Sequence, residues 1–145
     1  MSEGNRPNIS GNQKRAVGRS GTIVKQLSAH ECRRILEQLS GRMVSGKEAE
    51  PDSWNERCLV ILDVRTPREF LSGHLNGAIN LDFRSPSFRD QISSLDRHAN
   101  YLLYCRTGVR SGRAIELMVS LGFSELYNLT KGIEEWLKEG FEVKK

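Results

Sequence analysis

Cys58-Leu59-Val60-Ile61-Leu62 is an uninterrupted apolar run, with no polar residue in alternation. A strand with one wetted face would alternate, so this run reads as a central parallel strand buried on both faces. Parallel neighbours need crossover connections, and a strand buried twice needs helices above and below it. The run Tyr101-Leu102-Leu103-Tyr104 reads the same way. Ile23-Val24-Lys25-Gln26-Leu27 fits a short edge strand, and Ala78-Ile79-Asn80-Leu81 and Leu126-Tyr127-Asn128-Leu129 fit further short strands.

Helical patterns fall between these runs. Ser28 with Glu31 forms a capping box, followed by Cys32, Ile35, Leu36 and Leu39 on one stripe; Gly41 is expected to close that helix. Cys32 on that stripe is expected to be a core thiol. Thr66-Pro67-Arg68-Glu69 combines a Thr cap, proline at the first position and Glu at the third, a strong helix start. Phe70 and Leu71 should face inward there, with Gly73 ending the helix. Residues 86–95 carry Phe88, Ile92 and Leu95 at helical spacing. Gly112 to Leu121 presents Ala114, Leu117, Met118 and Leu121 on one face, and Gly122 ends it. Thr130 should cap a last helix whose Ile133, Trp136 and Leu137 pack inward before Gly140. Together these predict an α/β fold: a mainly parallel, five-stranded sheet with helices on both faces.

Charge has to be located before it is interpreted. Residues 1–25 hold Arg6, Lys14, Arg15, Arg19 and Lys25 against Glu3, so 5 − 1 = +4 equals the whole chain's net charge of +4. Residues 1–22 are rich in Gly, Ser, Asn and Arg, without periodicity, and read as a disordered basic tail before a single domain over 23–145. Residues 40–57 read as a polar surface loop. Residues 26–145 are charge-balanced, which argues against a nucleic-acid partner. No run approaches the ~18 apolar residues of a membrane span, and Met1-Ser2-Glu3-Gly4-Asn5 does not resemble a signal peptide. A cytoplasmic protein with no membrane partner is expected. The three cysteines, Cys32, Cys58 and Cys105, contain no C-x-x-C pair, so neither a zinc site nor a disulfide framework is expected.

The chemistry concentrates at Cys105-Arg106-Thr107-Gly108-Val109-Arg110-Ser111, where a buried strand ends and a helix begins. Helix N-terminal amides, aligned peptide dipoles and nearby cations all favour thiolate over thiol. A free cysteine of pKa ~8.5 is only a few per cent thiolate at pH 7. Gly108 lets the backbone turn so that successive amides point inward as an anion nest, and Arg106 and Arg110 add charge. Cys105 is the candidate nucleophile. Asp63 and Arg65 end the other buried strand, and adjacent strands would bring both polar clusters to one sheet edge. Asp63 is expected to bond loop amides or pair with Arg65, Arg65 to pair with Glu69, His74 to pack, and Ser111 to cap the helix.

Three stretches then match a family: Leu62-Asp63-Val64-Arg65-Thr66-Pro67-x-Glu69-Phe70, Gly73-His74-Leu75-x-Gly77-Ala78-Ile79-Asn80-Leu81, and Cys105-Arg106-x-Gly108-x-Arg110-Ser111. They closely resemble the signatures of rhodanese-like sulfurtransferases, as does the ending with Gly132 and Trp136, although Lys131-Gly132 replaces a double glycine. The resemblance implies a rhodanese-like fold and a thiosulfate sulfurtransferase. Cys105 would take the outer sulfur of thiosulfate as a persulfide and pass it to cyanide or a thiol. The amides of residues 106–110 would hold that persulfide, with Ser111 beside it and Asp63 and Arg65 in support. The implied partners are a small anionic sulfur donor, a thiol or cyanide acceptor, and a thiol redox protein; no cofactor and no metal are implied. Cys105 to Arg110 makes a six-residue cradle, whereas the related phosphatases place their arginine one residue later, where this chain has Ser111. Two alternatives are compatible with the sequence: a phosphatase or arsenate reductase built on the anion nest, and a non-catalytic binding module.

Overall fold

The structure, a computed structural model, describes residues 21–45 and 59–145, the side chains of 39–45 excepted. Expectations for residues 1–20, for Cys58 and for residues 46–57 lie outside the described residues; Thr22, placed by the sequence reading at the end of the tail, is buried, its hydroxyl donating to the Phe123 carbonyl. The element order is β1 (Ile23–Leu27), α1 (Ala29–Ser45), β2 (Leu59–Asp63), α2 (Pro67–Leu71), β3 (Ile79–Asn80), α3 (Phe88–Ser93), β4 (Asn100–Tyr104), α4 (Val109–Ser120), β5 (Glu125–Leu129) and α5 (Gly132–Lys138). The strands form one sheet in the order β1-β5-β4-β2-β3, every pair parallel. β1 is an edge strand, as its short, partly polar sequence suggested.

Strand parity divides the core into two layers. On one face Leu62, Tyr101, Leu103 and Leu126 pack with Phe88 and Ile92 of α3 and Ala114, Ile115 and Met118 of α4. On the other, Ile61, Leu102, Tyr104, Tyr127 and Leu129 pack with Cys32 of α1 and Ile133 and Trp136 of α5. All residues of β4 are buried, which is why its sequence shows no alternation. Full burial of one such leucine contributes about 1.5–3 kcal/mol. Cys32 lies in the second layer with no exposed surface.

Both sequence-read capping boxes form. Glu31 N–H donates to Ser28 Oγ at 3.1 Å and Ser28 N–H donates to Glu31 Oε1 at 2.8 Å. Glu69 N–H donates to Thr66 Oγ1 at 3.2 Å and Thr66 N–H donates to Glu69 Oε1 at 3.0 Å.

Four local expectations are corrected. Gly41 does not close α1, whose backbone runs on to Ser45, so residues 40–45 are helix and not loop. An interior glycine costs only about 1 kcal/mol against alanine, and Arg42 and Met43 after it favour helix. Leu71 does not face inward; it is 69% exposed, because a five-residue helix with no buried residue has no second turn to press it home. Phe70 is half-buried and stacks on His74 at 3.8 Å. Leu137, at 51% exposure, also points outward; Trp136 packs instead against Phe141, ring centroids 5.1 Å apart. Thr130 does not cap α5. Its hydroxyl donates to Gln26 Oε1 at 2.9 Å, and the cap position is Lys131, with no side-chain cap bond.

Among the described residues no helix is long and apolar enough to cross a membrane.

Candidate active site

β2 and β4 are neighbours in register, Asp63 opposite Tyr104, so the two polar clusters do share one sheet edge. Cys105 follows the last residue of β4 and is 1% exposed. The chain then turns through Gly108, at φ 105°, into α4. A Cβ on Gly108 would lie 2.0 Å from the Thr130 carbonyl oxygen, and one on Gly132 would lie 2.1 Å from that of Arg106. Glycine at both positions lets the loop and the start of α5 touch backbone to backbone.

That approach sets the direction of the loop's peptides. Ile133 N–H donates to the Cys105 carbonyl at 3.0 Å, and Glu134 N–H donates to the Arg106 carbonyl at 3.1 Å. The first amides of α5 are thus satisfied by the loop, which explains why Thr130 is not needed as a cap. With the carbonyls drawn outward, the amides are left to face the sulfur. Gly108 N–H donates to Cys105 Sγ at 3.0 Å.

Ser111 is not the helix cap expected of it. Gly108 occupies that position, and Ser111 sits in the first turn of α4 with no exposed surface. Its hydroxyl lies 2.8 Å from Asn128 Oδ1, 3.3 Å from the Gly108 carbonyl and 3.6 Å from Cys105 Sγ. One proton cannot serve three acceptors, and the shortest contact is to Asn128. Asn128 is held in turn by donating Nδ2–H to Gln26 Oε1 at 3.0 Å. Burial opposes ionisation of Cys105, but the amide and hydroxyl of Ser111 and the amides of Gly108 and Thr107 outweigh it and bring the thiol's pKa below its ordinary value.

Of the pairings expected from sequence, Asp63 with Arg65 forms and Arg65 with Glu69 does not. Arg65 does not reach Glu69. It pairs with buried Asp63, Nη2 to Oδ2 at 2.6 Å and Nε to Oδ1 at 3.0 Å, and donates to the Gly73 carbonyl at 2.7 Å. Asn80 Nδ2–H donates to the carbonyls of Asp63 and Arg65 at 3.0 and 2.9 Å. This cluster braces the end of β2 against the α2–β3 connection and reaches the cysteine strand through the ring of Tyr104, 5.5 Å from the Arg65 guanidinium. Glu69 takes Arg110 instead: Nη1 to Oε1 is 2.9 Å and Nη2 to Oε2 is 3.1 Å. This pairing first of all, with Thr66, lowers the Glu69 carboxyl to about 2 against opposing burial. Arg106 and Val109 point to solvent, and Arg106 Nε donates to Glu134 Oε2 at 3.1 Å. His74 packs as expected, its Nδ1 2.9 Å from the Phe70 carbonyl.

Sequence reasoning missed three participants. Glu69 was read as a helix cap and a partner of Arg65, and its actual partner, Arg110, lies 41 residues away. Asn128 sat in an unremarkable strand pattern. Gly132 was noted as part of a resemblance, without the backbone contact that requires it.

The Rhodanese-like domain family model matches residues 47–139. The chain is 34% identical over 93 residues to thiosulfate sulfurtransferase 16, chloroplastic, of Arabidopsis thaliana, a match covering 57% of this chain and 78% of the relative. It is 38% identical over 77 residues to thiosulfate sulfurtransferase GlpE of Stutzerimonas stutzeri, covering 53% and 69% respectively. Among solved structures, a rhodanese-related protein from Thermoplasma volcanium superposes with a TM-score of 0.61 at 24% identity, covering 82% of this chain and 96% of that one, a likeness of fold. The chain belongs to the rhodanese-like domain family.

Proposed function

We propose that the protein is a sulfurtransferase that carries sulfane sulfur on Cys105 as a persulfide. The observation that supports this most directly is the amide of Gly108 at 3.0 Å from Cys105 Sγ, inside a loop whose carbonyls are turned away to α5. An anion on that sulfur, or on a second sulfur bound to it, meets donors that are already oriented. With thiosulfate as donor, the Cys105 thiolate attacks the outer sulfur, the sulfur–sulfur bond to the sulfonate breaks with its electron pair, and sulfite leaves. The product is an ionised persulfide, and total charge is conserved. Cyanide or a thiolate then attacks the terminal sulfur, and Cys105 departs as thiolate, stabilised by the same amides. The names of the two curated relatives support thiosulfate as a donor of this kind.

A non-catalytic module is the second reading, motivated by the 1% exposure of Cys105. Intact mass after incubation with thiosulfate, polysulfide or a thiosulfonate separates the two. Sulfur transfer predicts a gain of about 32 Da on Cys105 that cyanide or dithiothreitol removes; a sulfinic acid has nearly the same mass but is not reversed. Thiocyanate should form with wild type and not with Cys105→Ser. No reversible adduct with any donor would leave the binding-module reading.

A further inference from the structure

We propose that the loop selects sulfane-sulfur donors of single negative charge, thiosulfonates and organic persulfides, over the thiosulfate dianion, and that Glu69 is the residue that sets this selection. The proposal rests on the sulfurtransferase reading and concerns the donor it takes. From sequence, Arg106 and Arg110 look like two free cations suited to a dianion. The structure gives each of them a carboxylate. Arg110 is held by Glu69 through two hydrogen bonds, with side-chain exposures of 16% and 29%, a forked, charge-assisted geometry that persists. Arg106 and Glu134 are exposed, and such a pair is weak and screened by salt.

Glu69 is not free to withdraw. The same Oε1 that meets Arg110 also accepts from Thr66 N–H at 3.0 Å and lies 3.1 Å from Thr66 Oγ1, so leaving Arg110 would break the capping box of α2. Asp63 and Arg65 form a third pair. The six side chains of these three pairs therefore cancel in charge. What remains for an anion is the set of loop amides, and the Cys105 thiolate already draws on them. A dianion approaching that thiolate meets twice the repulsion of a monoanion and finds both loop arginines already paired with carboxylates. Val109, 61% exposed within the loop itself, offers an apolar contact that an organic group can use and thiosulfate cannot.

The transfer balances for these donors. The thiolate attacks the sulfane sulfur of a thiosulfonate, the sulfur–sulfur bond breaks, and a sulfinate leaves with the electron pair; from an organic persulfide the leaving group is the thiolate. No outside oxidant or reductant is needed.

The test compares kcat/KM for benzenethiosulfonate, a monoanion, and thiosulfate, with cyanide as common acceptor, in wild type and Glu69→Gln. Glutamine keeps the capping box. Glu69→Gln should raise thiosulfate turnover about five- to tenfold and benzenethiosulfonate turnover only about two- to threefold, so the donor ratio contracts. In wild type, thiosulfate kcat/KM should not fall as salt rises from about 20 to 200 mM; this arm needs no variant. An unchanged donor ratio, an equal loss with both donors, or a steep fall with salt in wild type overturns the donor assignment while leaving sulfur transfer intact. Failure of every donor to load Cys105 in wild type overturns the sulfurtransferase reading, and this inference with it.

Discussion

Cys32 and Cys105 are both free and buried, yet they ionise in opposite directions. Burial alone pushes Cys32 up to about 12. Burial also works against Cys105, but amides and a hydroxyl turn the balance downward. Cys32 sits among side chains on a helix stripe, and its own amide is committed to the Ser28 carbonyl at 2.9 Å. Cys105 sits at a strand end, where carbonyls have been taken by α5 and amides face the sulfur. Orientation of peptide groups, more than depth, separates an inert thiol from an ionisable one.

The largest expected break in this contrast comes from alkylation rates. At pH 7 Cys105 should react with iodoacetamide at least about 100-fold faster than Cys32, because the reactive species is the thiolate; peptide mapping reads both sites in one experiment. Comparable rates would show that the amides do not outweigh burial.

Gly108→Ala comes next. Its Cβ would fall 2.0 Å from a backbone oxygen, at a positive φ that alanine tolerates poorly. The expected cost is about 2–4 kcal/mol in chemical denaturation, with Cys105 alkylation falling toward the Cys32 rate. A native melting curve and an unshifted alkylation profile would mean that the turn tolerates a side chain.

Stability against pH should separate the two thiols by sign. Cys105 has a folded pKa below the unfolded value, so its contribution is present above the unfolded ~8.5 and is lost as pH falls through the folded value. Cys32, raised to about 12, contributes fully below ~8.5 and loses that contribution as pH climbs toward its folded value. Between pH 7 and 10, Cys105→Ala should therefore remove a rising component of the unfolding free energy, and Cys32→Ala a falling one. Matching pH slopes for the two variants would contradict the assignment.

Two smaller effects of opposite sign sharpen the picture. Ser111→Ala keeps the Ser111 amide but removes the hydroxyl 3.6 Å from Cys105 Sγ, and should slow Cys105 alkylation at neutral pH about three- to tenfold, the midpoint moving up. Asn128→Ala removes the acceptor that holds this hydroxyl at 2.8 Å and frees its proton for the sulfur, so the midpoint should move down, with a rate gain of about twofold. If both variants slow the reaction, Asn128 orients Ser111 toward the sulfur instead of competing for its proton.

Much of the fold was legible because its signals are local. Leu59–Asp63 and Asn100–Tyr104 lie within one residue of the apolar runs read from sequence, since strands buried on both faces leave no room for alternation. Ser28 and Thr66 found their helices because a capping box closes within four residues. The errors have equally definite causes. Thr130 has the right chemistry for a cap, but α5's first amides go to Cys105 and Arg106 carbonyls from a distant part of the chain. Leu71 and Leu137 have the right hydrophobicity on helices too short to carry a full stripe.

The sequence by itself determined the layered α/β architecture and a cysteine at the junction of a buried strand and a helix. Those follow from apolar runs, caps and one turn, all decided by near neighbours. Only the tertiary structure decided what charge surrounds that cysteine. Arg110 meets Glu69 and Arg106 meets Glu134 across 41 and 28 residues, and Gly132 brings α5 against the loop to turn its peptides. Ion pairs and backbone contacts of that range are set by how the layers stack, and residue types along the chain do not specify which carboxylate reaches which arginine.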